Sequence, residues 1–167
     1  MHNKNNKAEE TLKECGAILT GHFVLDEMKH GDTWFEKKNL YSNSVVFENL
    51  CREMARSISL KISKIDVVAG PASNSVVLDR MACLLGEIYH KVVVSLSIEK
   101  DGTGRHPFRR SFDKDLAGKK VLVMDDVVLT GELVRQLIKA TIHSKGQMAG
   151  VAVICNRGDV TSQNLYA

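Results

Sequence analysis

The sequence predicts an α/β fold with a mainly parallel sheet flanked by helices. Short apolar runs alternate along the chain with stretches of helical spacing, as in repeated strand–helix units. The strongest run, residues 121–124, has four consecutive apolar residues, which is typical of a strand buried on both faces. Three candidate ligand-binding stretches follow predicted strands directly, and ligands of open parallel sheets bind beyond the carboxyl ends of the strands.

Composition indicates a globular protein of 167 residues, with residues 1–10 as a flexible polar tail and residues 11–167 as one domain. The net charge of +3 suits anionic small molecules and does not indicate nucleic acid. No apolar run approaches the ~18 residues of a membrane span, and the polar N-terminus predicts no secretory signal. The four scattered cysteines lack metal-ligand spacing, which favours core packing and a cytoplasmic location.

Hydrophobic periodicity predicts the elements of the first half of the chain in order. The predicted elements are a helix over 8–15 ended by Gly16, an apolar stretch over 17–25, an extended segment from Thr33 through Lys38, and a helix over 45–60.

The second half continues the alternation. Its predicted elements are a strand over 65–69, a helix over 75–85 ended by Gly86, strands over 91–98 and 121–124, a helix up to Ser144, and a strand over 148–154. Residues 101–115 have no periodicity and carry five basic residues. A loop of that length inside a compact domain is usually functional or disordered.

Two adjacent acids and a small-residue turn follow the buried run. Asp125 and Asp126 come first, then Thr130 and Gly131, and helical spacing begins immediately afterwards. A strand, a turn and a helix N-terminus direct free N–H groups and the positive end of the helix dipole at one place. The stretch therefore predicts a phosphate site, with carboxylates beside it for hydroxyls or a metal. A pair of solvated acids in a turn is the alternative.

The stretch VLVMDDVVLTG, residues 121–131, resembles the phosphoribosyl-diphosphate (PRPP) signature of the type I phosphoribosyltransferase family. With residues 20–25, 70–72 and 154–158, the chain resembles the orotate phosphoribosyltransferases in particular, over about residues 12–160. The resemblance implies the type I phosphoribosyltransferase fold with a small N-terminal hood. It also implies Mg²⁺-dependent transfer of a phosphoribosyl group from PRPP to orotate, which forms orotidine 5-phosphate and diphosphate in pyrimidine nucleotide biosynthesis.

The resemblance also implies roles for individual residues. Asp125, Asp126 and Lys100 are the implied catalytic residues, the two acids by contacting the ribose hydroxyls and stabilising positive charge on the ring. The implied PRPP-binding residues are Asp125, Asp126, Val127, Val128, Leu129, Thr130, Gly131, Gly70, Pro71, Ala72, Lys100, Arg105 and His106. The implied base-binding residues are Lys29, Trp34, Phe35, Thr130 and Arg157. The resemblance further implies that Mg²⁺ is bound mainly by PRPP, with no direct protein ligand. It also implies a homodimer, because the loop of one subunit closes over the site of its neighbour.

Plainer interpretations of these residues stay open. Residues 69–75 fit a strand-to-helix turn capped by Ser75, and the basic residues of 101–115 fit a solvated loop. Trp34 and Phe35 fit core aromatics.

Some residues depart from the family pattern. Asn74 and Ser75 stand where glycines are common, Leu129 and Glu132 replace smaller residues, and acids occupy the run at 26–28 beside the implied base site. The chain also ends soon after the Arg157 motif. These departures leave two alternative functions: a phosphoribosyltransferase for another base, and a PRPP-binding regulator without catalysis.

Overall fold

The structure, a computed structural model, describes residues 3–26, 29–99, 116–158 and 160–161. The chain divides into two compact units, Met1–Glu53 and Met54–Ala167. The helices and strands are α1 Asn3–Glu14, β1 Ile18–Asp26, β2 Lys29–Phe35, α2 Lys37–Ser42, α3 Ser44–Ser59, β3 Val67–Pro71, α4 Ser75–Tyr89, β4 Val94–Ile98, β5 Lys120–Val128, α5 Glu132–His143 and β6 Gln147–Asn156. Within the described ranges, no helix combines the length and apolar character needed to cross a membrane.

The first unit contains an antiparallel hairpin of β1 and β2, in which Ile18 pairs with Phe35. Helix α1 ends as predicted near Gly16, which has φ +72°, a conformation that glycine adopts without strain. The buried apolar residues of this unit are Leu12, Ala17, Phe35, Leu40 and Cys51.

Two predictions for the first unit are wrong in their bounds. Helix α1 begins at Asn3 rather than at residue 8, and residues 3–7 carry no apolar residue that could have signalled the extension. The extended segment predicted through Lys38 instead ends at Phe35. Helix α2 starts there because the Glu36 carboxylate accepts a hydrogen bond from the Lys38 N–H at 3.2 Å.

The second unit contains a four-stranded parallel sheet in the order β4-β3-β5-β6, with helices packed on it. This confirms the predicted α/β class. Strand β4 pairs with one edge of β3, and the next strand in the chain, β5, pairs with the other edge of β3. The strand order therefore reverses between β3 and β5, and the crevice at such a switch point is where open α/β sheets bind ligands.

Strand β5 is covered on both faces, as its continuous apolar run predicts. Val121 and Val123 pack with Val134, Leu137 and Ile138 of α5. Leu122 and Met124, which alternate with them, are just as fully buried. The carboxyl end of β5 is therefore held rigidly between layers.

Several element bounds in the second unit differ from prediction; β3 is Val67–Pro71 rather than 65–69, and β4 begins at Val94 rather than at residue 91. Strand β5 continues to Val128, so both aspartates lie inside the strand rather than after it. Helix α4 passes through Gly86 and ends at His90, which has φ +52°. Gly86 serves close packing instead, because a Cβ there would lie 2.9 Å from the Lys91 carbonyl oxygen.

Candidate active site

Asp125 and Asp126 are buried at the carboxyl end of β5, with 5% and 6% of their surface exposed. The Asp125 Oδ1 accepts a hydrogen bond from the Asp126 N–H at 2.9 Å, and the Asp126 Oδ1 accepts one from the Val127 N–H at 2.8 Å. Asp125 pairs across the sheet with Val153. The alternative of solvated acids in a turn is wrong, since backbone amides orient both carboxylates within a buried strand.

Burial, and after it the negative charge of Asp126, raise the pKa of Asp125 from 3.8 to about 6. The hydrogen bonds from the Asp126 N–H and from the Asn74 side chain lower the pKa and offset part of this rise. Asp125 is therefore mostly ionised at neutral pH but poorly solvated. A carboxylate in this state gains most from a ligand that donates hydrogen bonds to it.

Asn74 links the end of β3 to the acid pair. It closes a 3₁₀ turn, Ala72–Asn74, and is 1% exposed. Its Nδ2 donates a hydrogen bond to the Asp125 Oδ1 at 2.8 Å. This contact joins the two strands on either side of the switch point, at their carboxyl ends.

The turn between β5 and α5 provides a helix N-terminus beside the acids. Gly131 is the N-cap of α5 at φ +73° and supplies no capping side chain, while the Thr130 Oγ1 accepts a hydrogen bond from the Glu132 N–H at 3.3 Å. Arg135 Nη2 donates to the Thr130 carbonyl oxygen at 2.9 Å and holds the turn against the helix. Exposed Thr130 and Leu129 leave the turn accessible to an anion, which the first N–H groups of a helix favour.

The Glu132 side chain lies along the surface of α5. The side chain is 63% exposed, and its carboxylate accepts hydrogen bonds from Gln136 Nε2 at 3.2 Å and from Arg135 Nη2 at 3.4 Å. The hydrogen bond from Gln136 and then that from Arg135 lower the pKa of Glu132. The position therefore adds a negative charge that neighbouring side chains already compensate.

Gly70 has a packing role that the sequence does not reveal. A Cβ on it would lie 2.3 Å from the Met124 carbonyl oxygen and 2.8 Å from Leu78 Cδ2. Gly70 therefore permits the close approach of β3 and β5. Pro71 is buried and Ala72 half-buried beside it, and the PRPP contacts of these three residues stay a prediction.

The end of β6 lies against the turn that follows β5. The Arg157 N–H donates to the Val128 carbonyl oxygen at 2.8 Å, and a Cβ on Gly158 would lie only 1.8 Å from the Leu129 carbonyl oxygen. Arg157 and Thr130, both predicted to bind the base, are thus brought to the same edge of the sheet. The contact of the guanidinium group with a base stays a prediction.

The remaining base-binding candidates lie in the first unit. Trp34 is 37% exposed, and its Nε1 donates to the Glu36 Oε2 at 3.4 Å. Phe35 is 7% exposed and belongs to the core of that unit. Lys29 begins β2, and its side chain is not described. Lys100, Arg105 and His106 lie outside the described residues, so their predicted roles stay predictions.

Three residues with clear parts in the site were not among the predicted site residues: Asn74, Arg135 and Gly158. Asn74 was noted as a departure from the glycine pattern, but a bond to a residue 51 positions away has no local signal. Arg135 reads as an ordinary exposed helix residue. Gly158 closes the Arg157 motif, and only the position of Leu129 shows why glycine is needed there.

Residues 38–165 match the family model described as "Phosphoribosyl transferase domain". The chain therefore belongs to the phosphoribosyltransferase family, an enzyme family of the pentosyltransferase class. Among curated proteins, it is similar to the orotate phosphoribosyltransferase of Desulforamulus reducens, with 32% identity over 151 residues that cover 90% of this chain and 74% of the relative. The orotate phosphoribosyltransferase of Methylorubrum populi is 28% identical over 152 residues, covering 89% of this chain and 74% of that protein.

Solved structures share the fold. The crystal structure of orotate phosphoribosyltransferase from Aeropyrum pernix superposes with a TM-score of 0.68 at 20% identity, covering 94% of this chain and 85% of that one. Adenine phosphoribosyltransferase from Saccharomyces cerevisiae superposes with a TM-score of 0.66 at 16% identity, covering 89% of each chain. The type I phosphoribosyltransferase fold predicted from the sequence is confirmed.

Proposed function

We propose that the chain transfers the phosphoribosyl group of PRPP to orotate in a Mg²⁺-dependent reaction that forms orotidine 5-phosphate and diphosphate. The observation that carries the proposal is the buried pair Asp125 and Asp126 directly beside the turn that ends at Gly131, at the switch point of the sheet. Curated relatives named orotate phosphoribosyltransferase, at 28–32% identity, favour orotate as the base.

The proposed reaction exchanges one bond at the anomeric carbon of the ribose. The carbon–oxygen bond to diphosphate breaks, and the electron pair leaves with diphosphate. A ring nitrogen of orotate forms the new carbon–nitrogen bond and gives up its proton to solvent. Positive charge develops on the ribose ring as the leaving group departs. Asp125 and Asp126 accept hydrogen bonds from the ribose hydroxyls and stabilise this charge, while the turn at 127–131 binds the 5-phosphate.

The hydrogen-bond donors around the two aspartates fit a site in which Mg²⁺ is bound mainly by the substrate. The Asn74 amide donates to Asp125 at 2.8 Å, and an N–H donor at that distance favours hydroxyl recognition over direct coordination of a cation by the same oxygen. Mg²⁺ is commonly bound through substrate phosphates in phosphoryl-transfer sites. When bound to PRPP, Mg²⁺ would neutralise charge on the diphosphate leaving group.

Two further features belong to the proposal by family resemblance. A homodimer follows from the implied sharing of the loop at 101–115 between subunits, and sedimentation velocity tests it directly. A cytoplasmic location fits the four cysteines Cys15, Cys51, Cys83 and Cys155, which are scattered along the sequence without metal-ligand spacing.

A second candidate function keeps PRPP and changes the base. Adenine phosphoribosyltransferases share the fold as closely as the orotate enzymes do, with TM-scores of 0.62–0.66. The acids of the run at 26–28 are also unfavourable beside anionic orotate. A neutral purine does not meet this repulsion.

The test is a spectrophotometric assay of orotate consumption with PRPP and Mg²⁺, run beside adenine, guanine, hypoxanthine and uracil. We expect turnover with orotate, its loss on chelation of Mg²⁺, and its loss in the variant D125A/D126A. The matched control is D79N, which alters an exposed carboxylate on α4. Folded protein that turns over another base faster than orotate would establish the second candidate, and wild-type kinetics in D125A/D126A would refute the site itself.

A further inference from the structure

Asn74 stands out among the buried polar residues because it makes a long-range contact with a candidate catalytic group. It is 1% exposed, and its Nδ2 lies 2.8 Å from the Asp125 Oδ1. The two residues lie 51 positions apart in the sequence, so the contact depends on the fold and has no local sequence signal.

We propose that Asn74 is a positioning residue for Asp125, whose side-chain amide fixes the carboxylate orientation that binds the ribose of PRPP. The proposal rests on the proposed function, because the ribose hydroxyls are the ligands of Asp125 in that reaction. It goes further by assigning a role to a residue that is not among the implied PRPP-binding residues.

The direction of the amide is determined by its two partners. An ionised carboxylate only accepts hydrogen bonds, so the amide nitrogen of Asn74 faces Asp125. The amide oxygen then accepts a hydrogen bond from the Ser73 Oγ at 3.3 Å. Both ends of the amide are thus engaged, and the side chain is held in one orientation.

The Asp125 carboxylate is in turn held by one of its oxygens. Its Oδ1 accepts from both the Asn74 Nδ2 and the Asp126 N–H, at 2.8 and 2.9 Å. Two donors on one oxygen restrict rotation of the carboxylate and direct the second oxygen, Oδ2, to a ligand. Such a preorganised acceptor loses little entropy when the ligand binds.

The Asn74 amide also stabilises the negative charge of Asp125, because few other described groups around that carboxylate do so. Among described residues, Asp126 is the charged group that raises the pKa of Asp125, and the residue paired with it on β6 is the apolar Val153. From the turn after β3, the facing group is the neutral Asn74 amide. Removing that donor therefore leaves the carboxylate with less compensation for its burial.

The first experiment needs no substrate. The side-chain carboxyl of Asp125 is titrated by ¹³C NMR in the wild type, in N74A and in the isosteric N74D. We expect the apparent pKa to rise by about one unit in N74A, the size expected from loss of one hydrogen bond to a charged group. In N74D the added acid should raise the apparent titration of the coupled carboxyls further.

The second experiment measures PRPP kinetics at pH 7.5 and over a range of pH. We expect KM for PRPP to rise about tenfold in N74A with kcat within about threefold, because the lost interaction serves ground-state and transition-state binding alike. The acid limb of kcat/KM should move to higher pH together with the NMR titration. S73A, which releases only the outer end of the amide, should produce a smaller change in the same direction.

The control is Y89F, which removes a partly buried hydrogen bond of 2.6 Å to the Ile62 carbonyl oxygen at the far end of α4. Y89F should reduce the free energy of unfolding without changing KM for PRPP. It therefore separates a general loss of stability from a specific effect of Asn74 on PRPP binding. Unchanged titration of Asp125 in both N74A and N74D overturns the proposal, as does a shifted titration with wild-type KM for PRPP. Failure of the wild type to bind PRPP would instead overturn the proposed function, while the NMR titration still decides whether Asn74 controls Asp125.

Discussion

Replacing Asp125 by asparagine should stabilise the protein at alkaline pH while it removes the activity. The substitution keeps the shape of the side chain and removes its charge. The folded protein retains a proton on Asp125 between pH 3.8 and about 6, where the unfolded chain releases it. The contribution of this group therefore makes the free energy of unfolding fall as pH rises through that window, and the loss is complete above it.

The magnitude follows from the pKa. A rise from 3.8 to about 6 is roughly two units, and at 1.36 kcal/mol per unit this corresponds to about 3 kcal/mol. An asparagine amide beside Asn74 requires one of the two amides to turn, which costs about 1 kcal/mol through weakened hydrogen bonds. We therefore expect D125N to gain about 2 kcal/mol at pH 8 and to lose up to about 1 kcal/mol at pH 4, where only the amide cost remains.

The assay is urea unfolding at intervals between pH 4 and pH 8. The single tryptophan, Trp34, lies in the first unit, so its fluorescence is a probe of that unit. Far-UV circular dichroism, combined with hydrogen exchange of the β5 amides, follows the second unit instead. D79N, an exposed carboxylate variant, serves as the matched control. Parallel pH profiles for wild type and D125N would refute the idea that burial of this charge opposes folding.

Three further variants test the geometry of the site. G70A should lower the free energy of unfolding by about 1–3 kcal/mol in urea titrations, because its Cβ would meet the Met124 carbonyl oxygen at 2.3 Å; a neutral result would mean that β3 and β5 move apart freely. G158A should raise KM for PRPP at least about tenfold, because the added Cβ would displace the Leu129 carbonyl and a loss of ~1.4 kcal/mol in binding free energy is a tenfold change. Unchanged kinetics would show that this contact does not affect phosphate binding. E132Q should leave KM for PRPP within about twofold at low salt, because the side chain is exposed and compensated, and a large improvement would show that the carboxylate repels the phosphate.

The sequence was sufficient for the fold class and for the central strand and turn. The apolar run at 121–124 predicted a doubly covered strand, and it is one because helices cover the sheet on both faces. The spacing of Thr130 and Gly131 before the helical pattern placed the N-terminus of α5 correctly. These signals are local, and local signals survive folding when the tertiary structure agrees with them.

The features that the sequence missed depend on distant backbone. Gly86 looked like a helix end because glycine often is one, but the chain segment after His90 folds back against it and requires a residue without Cβ. Ser75 looked like the cap of α4, but Asn74 occupies the cap position and its side chain bonds to Asp125 on β5 instead. Neither contact has a sequence spacing that distinguishes it from the commoner local role.

The crowded contact between Gly158 and the Leu129 carbonyl has a practical consequence for engineering. The Cβ of every other amino acid would collide with the main chain there. A library that varies residues around Arg157 should therefore keep Gly158 constant and vary Arg157. A library for new base preference that also varied Gly158 would consist mostly of variants in which the turn around Leu129 is displaced. Their lost turnover would then be mistaken for evidence about the base.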